Sequence, residues 1–180
     1  MNETDFTLAI HVDDISMLEC IFHTEPPTQE TQPSVRLMVT NPKNQFSLDR
    51  QTRRTVLHGS VNIQFGLSDA TPNPSAPNDV REFVHFGLIA GVTASVPAIK
   101  EAAGTARHMA GKPQDANAHR DKNMEHALRL EAIKAAYALA SSKFSEMSAM
   151  SPLGKMTLPL IDADELLYDM QKDDAESASQ

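Results

Sequence analysis

The chain has 180 residues, 41% hydrophobic but only 5% aromatic and without Trp, so it is long enough for one domain with an aliphatic, Met-bearing core. A single cysteine, Cys20, excludes an intrachain disulfide and fits a reducing cytoplasm. The net charge of −8 is concentrated in residues 162–180, where seven acids face only Lys172, and it disfavours nucleic acid as a partner because phosphate binding needs clustered Lys and Arg.

In chain order, Phe6, Leu8, Ile10 and Val12 alternate with Thr7, Ala9, His11 and Asp13, the period of a half-buried strand. The rhythm breaks at Asp13–Asp14, after which Ile15, Met17 and Ile21 interleave with Leu18, Cys20 and Phe22. This predicts one long strand over 6–22 with a bulge at the two aspartates. A Pro- and Thr-rich loop, His23–Pro33, leads to a second strand, Ser34–Thr40, with Val35, Leu37 and Val39 on one face. Asn41-Pro42 ends it, and Asn44–Asp49 reads as a short extended piece. The third strand, Arg54–Ser68, sets Leu57, Gly59, Val61, Ile63, Phe65 and Leu67 against His58, Ser60, Asn62 and Gln64. A turn-rich link with three prolines, Ser68–Asp79, precedes a fourth strand, Val80–Thr93. With no helix between them, these strands predict a four-stranded antiparallel sheet.

From Ser95 the pattern becomes helical. Ser95-Val96-Pro97 reads as a helix start, Ile99–Met109 as a short helix, and Gly111–Asn123 as a polar loop. From Asn123 to about Met150 the residues Leu130, Ile133, Tyr137, Ala140, Phe144 and Met147 recur at spacings of 3 and 4, one stripe of a long helix. Pro152 and Gly154 stop it. Lys155–Ile161 reads as extended, and Asp162 or Asp164 can cap a last helix, Ala163–Met170, with Leu166, Leu167 and Met170 on one side. The class is therefore α+β: a four-stranded antiparallel sheet, a long helix and a short C-terminal helix. Residues 1–171 form a single domain and 172–180 a disordered acidic tail that aids solubility. The N-terminus lacks the pattern of a signal peptide, and no apolar run reaches the roughly 18 residues that span a bilayer.

Catalytic and metal signatures are sparse. Seven histidines (His11, His23, His58, His85, His108, His119, His126) occur without HxH, HExxH or CxxC spacing, which gives zinc no support. Cys20, flanked by Glu19 and apolar residues, reads as a small buried hydrophobe. Ala106–Pro113 fails as a phosphate loop at both ends, because Ala106 stands for the first Gly and Pro113 for the final Ser or Thr. The expectation is a protein without enzymatic activity, cofactor or metal. Its apolar content exceeds what one small sheet hides, and the Met-bearing C-terminal third suits either a core or a surface that accepts varied partners.

The order of elements and two stretches resemble the SecB family of protein-export chaperones. The first is Ile10–Met17 (IHVDDISM), in which Ile10, Asp14, Ile15 and Ser16 match the family's first strand, while Asp13 stands where Lys is usual and Met17 where Phe is usual. The second is Leu130–Met170, where a Ser- and Met-rich helix end leads through LGKMTLPLI into DADELLY, without the family's Asn-Phe pair. The resemblance implies a homo-oligomer, a dimer of dimers, that holds unfolded client proteins in apolar grooves in the cytoplasm with no nucleotide, metal or membrane insertion. It places the client groove at Val35, Leu37, Val39, Leu166, Leu167 and Met170. Of the acids through which the family docks on the SecA translocation motor, Asp14 matches one. Leu18 occupies the next position with Glu19 beside it, and His85 takes the place of a third acid. These departures leave a role outside export open, such as holding an antitoxin in a toxin–antitoxin–chaperone system. The alternative from another class is a structural or adaptor protein, a phage or secretion-system component that uses the sheet for assembly with one defined partner.

Overall fold

The computed structural model describes residues 9–26, 33–40, 46–51, 53–69, 81–97, 113–165 and 167. Within them lie five strands and one long helix: β1 (His11–Thr24), β2 (Pro33–Thr40), β3 (Ser47–Arg50), β4 (Arg54–Asp69), β5 (Glu82–Pro97) and α1 (Pro113–Ala149). All strand pairs are antiparallel, in the order β1-β5-β4-β2, with β3 also pairing β4 beside the end of β2. The sheet thus has five strands rather than four. Ser47–Arg50, inside the stretch expected to be merely extended, hydrogen-bonds along Thr55–His58. The expected first-strand residues 6–8 and the short helix Ile99–Met109 lie outside the described residues.

Two boundaries differ from the expectation for a physical reason. Ser95-Val96-Pro97 opens no helix, because β5 continues through it and pairs Ser95, Val96 and Pro97 with Val56, Thr55 and Arg54. Val96 and Ser95 are both buried there, so sheet pairing and burial override a weak capping signal. Nor is Gly111–Asn123 all loop, since α1 begins at Pro113. Proline at a first helical position has no N–H to lose. The polar residues after it show no apolar stripe, yet none breaks a helix, and the packed C-terminal half supplies the nucleus from which it extends.

The alternation of β4 and β5 sends one set of side chains to the helix. Leu57, Val61, Ile63 and Phe65 stand opposite Ala94, Ala90, Leu88 and Phe86, and all are buried. The helix answers with Leu128, Ala132, Ile133, Ala136, Tyr137, Ala140 and Phe144. The small residues Ala132, Ala136 and Ala140, one turn apart, bring the helix backbone close to the sheet, and the larger ones fill the space on either side. Phe144 sits at the centre, with Phe65, Phe86 and Phe22 edge-on at ring-centroid distances of 5.0, 5.2 and 6.0 Å. Edge-to-face pairs of this kind add to the stability that area burial supplies.

Past the helix the chain doubles back. Gly154 takes φ +77°, a backbone conformation other residues rarely adopt, and turns the chain at the helix end. Ser148 Oγ, buried, accepts a hydrogen bond from Met156 N at 2.9 Å. The Tyr137 hydroxyl donates to the Pro159 carbonyl. Asp162 Oδ1 then accepts from Asp164 N at 2.9 Å and Glu165 N at 3.3 Å, which settles the cap on Asp162. Residues 155–161 join no strand among the described residues and form a strap along α1, anchored by the buried Leu158 and, beyond it, Leu167. Replacing Phe144 with Ala removes the ring that three others pack on. It is expected to cost about 3–5 kcal/mol of unfolding free energy, read from urea denaturation.

Candidate functional site: open apolar surfaces

Among the described residues, three apolar surfaces stay open on this framework. The first belongs to β1, which pairs only with β5 among the described residues and so forms one edge of the sheet. The strand carries two bulges, between Val12 and Asp14 and between Met17 and Glu19. Each adds a residue and flips the alternation. Ile15 and Met17 therefore share the helix-side face with Cys20 and Phe22, as their pairing with Val92, Ala90, Leu88 and Phe86 requires. The second bulge lifts Leu18 out, where it is 62% exposed, next to Met17 and Ile21, both about half exposed. Its seat is Gly91: a Cβ at that position would stand 3.0 Å from Ser16 Oγ and 3.4 Å from both Leu18 methyl carbons.

The same bulge decides where the two candidate docking acids stand. Asp14 and Glu19 are an odd number of residues apart, and a regular strand would point them to opposite faces. With the bulge between them they stand opposite Thr93 and Ile89, both on the outer face, and both are exposed. Asp13, within the first bulge, reaches Arg54 at 3.5 Å.

The second surface is the helix-side face of β2. Val35, Leu37 and Val39 pair with Leu67, Phe65 and Ile63, as their alternation predicts. The helix packs on β5, β1 and β4 and leaves the far end of β2 open, so Val35 is 61% exposed, Leu37 half-buried and Val39 in the core. Leu167 is likewise buried in the core, while Leu166 and Met170 lie outside the described side chains. Of the six residues expected from the sequence to line a groove, Val39 and Leu167 are thus buried.

The third surface is a crevice of about 490 Å³ between α1 and the strap, lined by Lys134, Tyr137 and Ala138 on one side and Leu160–Asp164 on the other. Leu160 is fully exposed at its mouth. Lys134 is held by Glu131 at 2.9 Å, a hydrogen bond that raises its pKa with a smaller contribution from Asp164. Burial pushes the Tyr137 hydroxyl up as well, so it stays protonated as the donor that ties the strap down.

Reactive chemistry finds little purchase. Burial raises the Cys20 thiol above its ordinary value, against a smaller opposing pull from Lys143, and its sulfur lies 3.6 Å from Met147 Sδ. Such a thiol is a poor nucleophile. Among the described residues, no group of three or more His, Cys, Asp or Glu is gathered about one point. No helix there is long and apolar enough to cross a membrane.

Sequence periodicity locates β1, β2 and the extended stretch 155–161, but not the second bulge or the docking of that stretch along α1. The bulge has a signal, the change from odd to even apolar positions across Leu18–Glu19; the docking depends on contacts distant in sequence, such as Tyr137 to Pro159.

Comparison with known proteins adds distant likeness among solved structures alone. No family model matches the chain, and neither does any curated protein. Among solved structures it is similar to the Mycobacterium tuberculosis Rv1957 SecB-like chaperone, determined in complex with a ChAD peptide from the Rv1956 HigA1 antitoxin. Identity is 12%, the match covers 85% of this chain and 88% of that one, and the TM-score is 0.36. A likeness of that depth assigns neither family nor partner.

The strap generates a direct test. Tyr137→Phe removes its hydrogen bond to Pro159 while keeping the ring, which is expected to cost about 1 kcal/mol. Amides of residues 156–165 should exchange with solvent several-fold faster in the variant while those of β4 and β5 are unchanged.

Proposed function

We propose that this chain is an ATP-independent, SecB-like holdase that keeps apolar segments of unfolded polypeptides from aggregating. The observation that carries the reading is the 14-residue edge strand β1, which bears Met17, Leu18 and Ile21 at its exposed face and edge. A soluble chain ordinarily blunts such an edge with charge or Pro at its centre. Here the acids Asp13, Asp14 and Glu19 flank apolar residues instead. An extended client can add to that edge through backbone hydrogen bonds and set alternate side chains against Leu18 and Ile21. The open end of β2 at Val35 and Leu37, and the crevice beneath the strap, offer further shallow apolar seats. None of these contacts calls for nucleotide or metal, and the role is non-enzymatic.

The reading extends to assembly and partners. The protein works in the cytoplasm as a homo-oligomer, a dimer of dimers, and its net charge of −8 keeps an apolar particle dispersed. Asp14 and Glu19, brought to one face, supply the acids for docking on a motor such as SecA when the client is destined for export. A dedicated client such as an antitoxin is the other form of the same activity. The adaptor reading uses the same edge strand but predicts one defined partner and no affinity for generic unfolded chains.

Dilution of a chemically unfolded model protein into buffer separates the two. The full chain, without ATP, is expected to suppress light scattering at near-stoichiometric ratio. The double variant Leu18→Asp, Ile21→Asp, exposed and folded by circular dichroism, should lose most of that effect. Aggregation that proceeds unchanged with the unaltered chain would contradict the holdase.

A further inference from the structure

The strap along α1 leads the C-terminal end of the chain towards a cationic surface. Ser148 Oγ meets Met156 N, the Tyr137 hydroxyl meets the Pro159 carbonyl, and Lys134 lines the same crevice as Asp162 and Asp164. Later residues of the strap thus lie beside earlier residues of α1, and the strap heads for the N-terminal half of the helix. There Arg129 lies over the Phe46 ring, 5.5 Å from its centroid, where β3 is about to begin at Ser47. From that point β3 runs to Arg50, and its hairpin with β4 is closed by Gln51 N, which donates to the Arg54 carbonyl at 2.8 Å.

The hairpin gathers Arg50, Arg53 and Arg54, and its two sides differ in charge. On the outer face acids balance it, for Asp13 reaches Arg54 at 3.5 Å and Asp49 stands opposite Val56. Arg50 stands opposite Thr55, and through it Val96, on the helix side. Arg53, exposed at the tip, makes no ion pair among the described residues. Along α1 the positive charge continues through Arg129, paired with Glu125 at 2.6 Å, to the exposed Lys122 on the same helical stripe.

The chain carries the complement to this surface. Past Leu167 come Asp169, Asp173, Asp174 and Glu176 against Lys172. Asp173 is nine residues beyond Asp164, a span of up to roughly 30 Å of extended chain. The way from Lys134 to Arg129 along the helix, and on from Phe46 to Arg50 along β3, is about 20 Å. Reach and charge therefore agree. Tethering adds an effective concentration of about millimolar, which favours ion pairs that are individually weak at an exposed site.

We propose that the acidic C-terminal tail, through Asp173, Asp174 and Glu176, docks on the helix side of the β3–β4 hairpin of its own chain, at Arg50 and Arg53. The docked tail occupies the surface that an acidic segment of another protein would otherwise take. Val35 and Leu37, opposite Leu67 and Phe65 towards the other end of β4, stay open. The contact stands independently of the chaperone reading and gives the tail a role besides solubility.

A fluorophore on Ser179→Cys, in the full chain with Cys20→Ala, reports the tail through its anisotropy. At low salt the value is expected to exceed that of the variant Asp173→Asn, Asp174→Asn, Glu176→Gln, which alters only tail charges. Sodium chloride at about 1 M, where the screening length is about 3 Å, should remove most of the excess. Arg50→Gln with Arg53→Gln, folded by circular dichroism, should remove it too. Arg36→Gln with Arg81→Gln, the same change of charge at the other end of the sheet, should leave it in place. Charge exchange, Arg50→Glu and Arg53→Glu combined with Asp173→Lys, Asp174→Lys and Glu176→Lys, should restore it. No excess at low salt, or an excess indifferent to the hairpin variant, would overturn the proposal. So would recovery when the labelled hairpin variant is mixed with unlabelled, unaltered chain, because the tail would then sit on a second copy.

Discussion

The insertion of Phe144 into the face formed by β4 and β5 is the contact on which the remaining structure depends. Its ring meets Phe65, Phe86 and Phe22, so one side chain of the helix touches three strands at once. Ala132, Ala136 and Ala140 allow that approach along the helix, and the paired residues Ile63 and Leu88 or Phe65 and Phe86 make the sheet face apolar enough to reward it. The helix is then fixed over the middle of the sheet. Its placement leaves the two flanks of the sheet, β1 and the far end of β2, with apolar side chains only partly covered.

The open flanks differ in origin. On β2 the exposure of Val35 follows from distance, since the helix does not reach that end. On β1 it is built into the backbone. A bulge at Leu18 turns an apolar residue outward over the bare Cα of Gly91, and the same bulge carries Glu19 to the face that Asp14 occupies. Two bulges in one edge strand also raise its twist, a feature that edge strands use to limit uncontrolled pairing. The apolar edge is thereby available to an extended chain yet does not present a long, flat template.

Much of this was legible in the residues. Strict alternation from Leu57 to Phe65 gave both the strand and its buried face, and the 3–4 spacing from Ile133 to Phe144 gave the helix and its stripe. The face of β2 carrying Val35, Leu37 and Val39 was legible for the same reason. What escaped was non-local. The run Ser95–Pro97 is strand because Arg54–Val56 pairs with it, and no capping preference survives that pairing. Val39 and Leu167 share the periodicity of their neighbours but are buried, because depth depends on how far the helix and strap extend over them.

The central claim is that β1 accepts an extended client along its edge. Hydrogen exchange of residues 11–24, with and without a long apolar peptide that lacks structure of its own, tests it directly. The account predicts slower exchange on binding, strongest around Ser16–Ile21, with the already paired amides of β4 unaffected. Exchange in β1 that is indifferent to a bound peptide would contradict it.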